Sequence, residues 1–164
     1  MNQPLGNAIG NSLEIQETID ILSGKSRPSD LMEIIMSLGA EMLAMAGLPN
    51  DMEKHLANGN GLKKFMQMVV AQGGEAKFKL PVSKFKKAIV APKGGFVHSI
   101  ECDQLGYAVI ALGGGRKLAT DQIDYSVGFE NPKIIGDQVK KGDPLIIMHY
   151  NDERLAQEAE KMVL

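Results

Sequence analysis

Three consecutive glycines separate a short apolar run from a charged segment, and this is the stretch whose residue types most suggest ligand binding. Glycine accepts positive φ, so such a run lets the backbone turn sharply and pass close to a neighbouring segment. The simplest interpretation is a wide hairpin between strands at residues 107–112 and 125–129. The functional alternative is a mobile loop that carries an arginine toward an anionic ligand. The residues concerned are Gly113, Gly114, Gly115 and Arg116.

The three histidines do not form a metal-binding pattern. His55, His98 and His149 are far apart, and no HxH or HExxH arrangement is present. Metal sites and catalytic bases need such side chains to converge. We therefore expect His55 on a helix surface, and His98 and His149 as hydrogen-bonded structural residues in strands.

Familiar catalytic motifs are also absent from the sequence. There is no Gly-x-Ser-x-Gly elbow, no GxxxxGK[ST] and no GxGxxG after a strand. The acidic pairs Asp121 with Asp124 and Asp152 with Glu153 are interpreted as solvated charge. The sequence therefore gives no support for acyl transfer or for the usual nucleotide-binding loops.

Two further glycine-containing stretches each allow a functional interpretation beside a purely structural one. The first, residues 6–10, precedes a helix, where free N–H groups attract anions, whereas its carbonyls and Glu17 suit a cation. A plain turn and helix cap explains it equally. The second, residues 135–148, turns as lipoyl and biotinyl carrier modules do, but the strand after it runs into His149 and lacks the acceptor lysine.

Composition limits the classes of partner. Apolar residues make up 44% and charged residues 23% of the 164 residues, with a net charge of −2. Nothing here favours nucleic acid or an acidic membrane as partner, and no apolar run is long enough to span a bilayer. The start of the chain lacks the pattern of a secretory signal. Cys102 is the single cysteine, which favours a reducing cytoplasm as the location.

Periodicity divides the chain near Leu80. Helical spacing before that point predicts four helices, with capping boxes at Asn11/Glu14 and Asp30/Glu33. Leu13, Ile15, Ile19 and Leu22 mark the buried side of the first. The predicted helices cover about residues 12–22, 31–47, 51–57 and 61–72.

After residue 80 a period close to two predicts short strands with frequent turns, followed by a last helix capped by Asn151. The expected fold class is α+β: a helical segment, 1–80, and a β-rich segment, 81–164. The predicted strands cover residues 88–91, 96–100, 107–112, 126–129 and 145–149.

Four long segments resemble the thymidine and pyrimidine nucleoside phosphorylase family, in the family's order and spacing. The resemblance extends over nearly the whole chain. It implies a carboxyl-terminal fragment, with residues 1–80 as the helical end of the α/β catalytic domain and 81–164 as a barrel-like hammerhead domain. The segments are MNQPLGNAIGNSLEIQETIDIL, GGFVHSIECDQLGYAVIALGGGR, DQIDYSVGF and GDQVKKGDPLIIMH.

The resemblance also implies an activity. Members of the family catalyse reversible phosphorolysis, in which phosphate displaces the pyrimidine from C1′ of a nucleoside to give the base and a pentose 1-phosphate. Their phosphate-binding Lys-His-Ser-Thr-Gly-Gly run is missing from this sequence. The resemblance therefore implies that this chain holds no catalytic residues and is inactive by itself.

The same resemblance implies binding residues and partners. Leu5 and Ala8 carbonyls and the Glu17 carboxylate match part of a site for a monovalent cation such as potassium. The segment from Gly114 to Asp121 matches a mobile loop at the cleft mouth, with Arg116 as a substrate contact. Expected partners of the longer protein are a pyrimidine nucleoside, phosphate as co-substrate and a second subunit; no other cofactor, nucleic acid or membrane is expected.

One alternative function and one physical consequence remain open. The alternative is a free-standing lipoyl- or biotinyl-like binding or scaffold module, modified at Lys140 or Lys141. The consequence concerns the helical segment, whose apolar stripe at Leu31, Ile35, Leu38 and Met42 needs a partner. The chain is therefore expected to self-associate or to be loosely packed in its first half.

Overall fold

A computed structural model describes residues 2–164 of the chain. They form two compact units, one made of residues 2–15 with 80–164 and the other of residues 16–79. The fold class is α+β, as predicted. In chain order the elements are β1 (Ala8–Ile9), α1 (Asn11–Leu22), α2 (Ser29–Met45), α3 (Met52–Ala57), α4 (Asn60–Ala71), β2 (Phe85–Val90), β3 (Gly95–Phe96), α5 (Cys102–Ala111), β4 (Gly128–Glu130), β5 (Gln138–Val139), β6 (Pro144–Tyr150) and α6 (Glu153–Val163).

The sheet of the first unit is antiparallel and has the order β1-β4-β6-β2. β6 is the long central strand, because it pairs with β2 on one side and with β4 on the other. β1 adds two residues at the edge of β4, through Ala8 opposite Glu130 and Ile9 opposite Phe129. β3 and β5 form a separate two-stranded sheet. In the part of the chain that the structure describes, neither sheet closes into the predicted barrel-like shape.

The core of this unit lies between the central strands and two helices. Its largest fully buried side chains are Phe129, Ile89, Met148 and Val127. α5 and α6 contact each other and add small buried residues, Ala108 and Ala111 from one helix and Ala156 and Ala159 from the other. Small side chains let the helix backbones approach closely, and dense packing of this kind makes the core sensitive to volume changes.

The second unit exposes much of its apolar surface. None of the residues of α2, α3 or α4 is buried, although all three helices were correctly predicted. The α2 stripe lies at the surface, where Leu38 is 61% exposed and Met42 70% exposed. On α1, Ile15 was predicted to be buried but is 37% exposed, whereas Ile21 is only 6% exposed.

One predicted strand is a helix. Residues 107–112 were predicted to be extended because their Val, Ile and Ala side chains form a short apolar run, but they belong to α5. Leu105, Ala108 and Ala111 are its buried residues, and a spacing of three residues places them on one helix face. Helical packing of this face against α6 therefore outweighs the strand propensity of the run.

Two other strands are shorter or shifted relative to the sequence prediction. The strand predicted at residues 96–100 is reduced to β3, and the one predicted at 126–129 is observed as β4, Gly128–Glu130. The strands predicted at 88–91 and 145–149 are confirmed within β2 and β6.

The predicted helix caps are off by one or two residues. The amide of Gly10, rather than Asn11, completes the capping arrangement by donating to Glu14 Oε1 at 2.9 Å. α2 begins at Ser29 after Pro28, so the box predicted at Asp30 is wrong. Asp152, not Asn151, caps α6 by accepting from the amides of Arg154 and Leu155. No described helix has the length and apolarity that a membrane span requires.

Candidate functional site

The three glycines terminate α5 instead of joining two strands. The Gly113 amide donates to Ile110 O at 3.0 Å and the Gly114 amide to Val109 O at 2.9 Å, and Gly113 has φ +93°. This is the usual way in which a left-handed residue ends a helix. A Cβ on Gly114 would lie 2.7 Å from Val109 Cγ1 and 3.1 Å from Val127 Cγ2. The turn therefore needs glycine both for its φ and for close packing.

The segment after the glycines is an exposed loop that folds back on itself. Arg116 is exposed and makes no ion pair with another described residue. The Asp121 carboxylate accepts hydrogen bonds from the amides of Lys117, at 2.9 Å, and Leu118, at 2.8 Å. Asp121 is therefore not merely a solvated charge, because it shapes the interior of the loop.

Asp124 closes the base of the loop, although the sequence analysis interpreted it as solvated charge. Its amide donates to Gly113 O at 2.9 Å. Its Oδ1 accepts from the Ser126 amide at 3.0 Å and from Ser126 Oγ at 2.6 Å, and its Oδ2 accepts from Asn151 Nδ2 at 2.6 Å. Asn151 is fixed in turn, because its Oδ1 accepts from the Lys84 amide at 2.7 Å.

The electrostatics of this group keep Asp124 ionised. Burial raises the pKa of its carboxyl, but the hydrogen bonds from Ser126 and Asn151 outweigh that effect. The pKa of Asp124 therefore lies below its usual value, since donors that face a carboxylate favour the charged form.

The amino-terminal segment packs against the same region. Asn11 Nδ2 donates to Gly114 O at 2.8 Å, and the Ser12 amide donates to Tyr125 O at 3.0 Å. A Cβ on Gly10 would lie 2.7 Å from Val127 O, so the two backbones are in close contact. Asn11 was predicted to be a helix cap. Its side chain instead joins α1 to the glycine turn.

The residues predicted to bind a cation lie in different units. Ala8 is in β1 and Leu5 is half-buried just before it, within the first unit. Glu17 is on the part of α1 that belongs to residues 16–79. Among the described residues, no three His, Cys, Asp or Glu side chains converge as metal ligands. The predicted site uses two main-chain carbonyls and one carboxylate, and it stays a prediction.

A second polar group surrounds His149, which is 2% exposed. Its Nε2 lies 2.6 Å from Glu130 Oε2 and its Nδ1 lies 3.3 Å from Ser83 Oγ. Lys86 Nζ reaches the same carboxylate at 3.3 Å. Burial raises the pKa of Glu130, but the hydrogen bond and charge of His149, with the charge of Lys86, bring it below its usual value. The prediction that His149 is a satisfied structural residue is confirmed.

The alignment of Ser83, His149 and Glu130 does not make a nucleophilic triad. The Ser83 hydroxyl donates to Phe85 O at 3.1 Å, so its proton is directed away from the imidazole. A serine nucleophile needs that proton to be directed at the base. We therefore assign this group a structural role between β4 and β6.

The other two histidines are both exposed. His55 lies on α3, as predicted, and pairs with Asp51 at 3.2 Å. His98 was predicted in a strand but is exposed in a loop after β3, which corrects that prediction.

The first unit also contains an open cavity of about 460 Å³. Gly114, Gly115 and Arg116 do not line it. Apolar side chains dominate its wall, although Lys93 and Lys133 also line it. The apolar lining includes Phe96, Ile100, Leu105, Val139, Ile146 and Val163.

Sequence reasoning missed the pairing of Asp124 with Asn151. The short spacing between Asp124 and Ser126 is a local signal for a side chain that binds its own backbone two residues on. The contact between Asp124 and Asn151 spans 27 residues and depends on how β6 ends. No sequence periodicity reports such a contact.

Comparison with known proteins agrees with the sequence resemblance. The family model described as the pyrimidine nucleoside phosphorylase C-terminal domain matches residues 96–164. The chain is 41% identical, over an alignment of 172 positions, to a thymidine phosphorylase of Burkholderia cenocepacia, and the alignment covers 97% of this chain and 39% of the relative. The chain thus spans about two fifths of the length of this relative. Residues 96–164 thus match the C-terminal domain of the pyrimidine nucleoside phosphorylase family, and nearly the whole chain is similar to part of a thymidine phosphorylase.

Proposed function

We propose that this chain is part of a protein that catalyses the reversible phosphorolysis of pyrimidine nucleosides. The observation that supports this most is the 41% identity to a thymidine phosphorylase across 97% of the chain. In the reaction the C1′–N bond of the nucleoside breaks and a C1′–O bond to phosphate forms, with inversion at C1′. Positive charge develops on the sugar, so catalysis depends on positioning and charge placement.

The chain alone is proposed to be inactive. Its sequence has no Lys-His-Ser-Thr-Gly-Gly run, and that run binds phosphate in the family. A phosphate dianion needs several N–H or cationic donors that point at one spot. The cavity of the first unit is lined mainly by apolar side chains instead. The catalytic residues therefore belong to parts of the longer protein that this chain does not include.

Arg116 is proposed to contact substrate at the mouth of the cleft, without acting as a catalyst. Its guanidinium is exposed and unpaired among the described residues. A guanidinium binds phosphate oxygens through two parallel hydrogen bonds. Gly114 and Gly115 contribute the turn that carries it, since a Cβ on Gly115 would lie 2.8 Å from Ile110 Cγ1.

Leu5, Ala8 and Glu17 are proposed to provide part of a site for a monovalent cation such as potassium. Backbone carbonyls and carboxylates are hard oxygen donors, which suits such ions. The segment that contains Leu5 and Ala8 is held in place, because the Asn131 amide donates to Asn7 O at 2.8 Å next to the β1–β4 pair. The remaining ligands would come from elsewhere in the longer protein.

The domain assignment and the biological setting are proposals as well. Residues 1–80 would end the catalytic α/β domain, and residues 81–164 would form the hammerhead domain. The longer protein would be a cytoplasmic homodimer that takes part in nucleoside salvage. Apart from phosphate as co-substrate and the monovalent cation, we propose no cofactor.

The test is an assay of the protein extended upstream of Met1 in its own reading frame. Release of thymine or uracil from the nucleoside should depend on added phosphate. Arg116→Ala should lower kcat/KM by roughly tenfold or more, mainly through KM, because a charged hydrogen bond is worth about 1.5–3 kcal/mol. Lys117→Ala, the neighbouring change of charge, should have little effect. An extended protein that releases no base from either nucleoside would overturn the proposal.

A further inference from the structure

The loop between residues 113 and 124 is closed at its base by backbone contacts. Its two ends are joined directly, because the Asp124 amide donates to Gly113 O at 2.9 Å. The entry is also tied to α1, since Asn11 Nδ2 donates to Gly114 O at 2.8 Å. Residues 116–120, between these ties, are all exposed. Movement of the exposed part must therefore start from a fixed base.

The Asp124 side chain links that base to the sheet. One oxygen accepts two hydrogen bonds from Ser126 and the other accepts one from Asn151, which follows β6 directly. Asn151 also donates to Ser126 Oγ at 2.8 Å and accepts from the Lys84 amide, which precedes β2. Ionised Asp is the suitable residue here, because it presents only acceptors to three donors.

We propose that Asp124, together with Asn11 and Asn151, is a positioning cluster that fixes the base of the loop at residues 113–124 and thereby the starting point of the Arg116 side chain. This proposal rests on the proposed function only in one respect, namely that Arg116 contacts the substrate. Asp121 acts differently, because its carboxylate accepts from the amides of Lys117 and Leu118 within the loop.

The geometry suggests a reciprocal test by exchanging donor and acceptor. Asp124→Asn turns one acceptor into a donor, so an NH₂ group then faces Ser126 or Asn151. Asn151→Asp by itself places two carboxylates next to each other. The double variant Asp124→Asn/Asn151→Asp restores one donor facing one acceptor, and a carboxylate at 151 still accepts from the Lys84 amide. Asp137→Asn is the matched control, because Asp137 caps a different turn through the Ile134 amide at 3.1 Å.

The readouts on the purified chain are trypsin cleavage after Arg116 and Lys117 and hydrogen exchange of the amides at 113–118. Each single variant at 124 or 151 should open the loop about tenfold more often, the effect of losing one hydrogen bond to a charged group. The double variant should recover most of this protection. Exchange in β6 should change little, and the control should behave like the wild type.

Several outcomes would overturn the proposal. They are unchanged cleavage in the single variants, equal acceleration in β6 and in the loop, or no recovery in the double variant. None of these readouts needs a nucleoside, so they are independent of the proposed function. A kinetic arm on the extended protein separates the two ideas: Asp124→Asn should raise KM more than it lowers kcat. An extended protein without phosphorolysis would refute the proposed function while leaving the loop result intact.

Discussion

Replacing Gly128 with alanine should detach β1 from the sheet. Gly128 has φ +153°, and a Cβ there would collide with Ile9 O and lie 3.1 Å from both Gly10 Cα and Leu13 Cδ1. Two of these neighbours are backbone atoms that cannot swing away. The strand pair of Ala8–Ile9 with β4 must therefore open.

The cost of this change has two parts. Backbone strain is worth about 1–3 kcal/mol, and each lost ladder hydrogen bond is worth about 1 kcal/mol. The free energy of unfolding should therefore fall by about 2–5 kcal/mol, or roughly 5–15 °C in Tm for a chain of this size. Gly136→Ala is the matched control, since Gly136 has φ +95° but nothing within 4 Å of its added Cβ. It should cost only about 1–2 kcal/mol, because alanine is strained at this φ but its Cβ meets no neighbour.

The assay combines calorimetry with hydrogen exchange. Calorimetry should show the larger loss in Gly128→Ala, and exchange should locate it in β1 and β4, where the Ala8–Glu130 pair opens. A Gly128→Ala protein as stable as Gly136→Ala, with β1 still protected, would refute the view that close backbone contact holds residues 2–15 in this unit.

Three further predictions concern acid stability, association and modification. Glu130 has a lowered pKa in the folded chain, so its contribution to stability is complete above the unfolded pKa and is lost as pH falls through the folded value. In urea titrations the wild type should be more stable than Glu130→Gln near neutral pH, and the two should converge in acid, once the pH is below the folded-state pKa of Glu130; an equal difference at every pH would contradict this. Sedimentation should show self-association of the wild-type chain that weakens in Leu38→Glu/Met42→Glu, because these exposed side chains no longer form an apolar surface; a wild-type monomer at all concentrations would contradict this. Intact mass spectrometry of chain from its native host should show no lipoyl or biotinyl adduct at residues 140–141, and an adduct would favour the carrier alternative.

Sequence periodicity predicted correctly those helices and strands in which the spacing of apolar residues along one face distinguishes helix from strand. The helices α1 to α4, the final helix α6 and the central strands β2 and β6 were predicted close to their observed positions. It failed for α5, because the run at 107–112 is short and rich in Val, Ile and Ala, and such a run fits a buried strand or helix equally well. Only its packing against α6 decides between them.

The polar groups of the site depended even more on tertiary contacts. Asn11 and Asn151 were both predicted to be helix caps, and both bind elsewhere, at Gly114 O and at Asp124. A local rule assigns an Asn side chain to the nearest free amide. In the folded chain the same side chains reach across to the glycine turn and the loop base, which local rules cannot anticipate. The glycine run followed by Arg116, and then the family resemblance, were the sequence signals that pointed to this loop.

The central proposal is that this chain, whose residues 96–164 match the C-terminal domain of the phosphorylase family, lacks the family's catalytic residues. The most direct measurement is release of thymine and uracil from their nucleosides, with phosphate in excess, by the purified chain at high concentration, next to a complete thymidine phosphorylase as positive control. The account predicts no release above the level seen without protein. Phosphate-dependent release that scales with the concentration of this chain, and that is unaffected by removing contaminating enzyme, would contradict it.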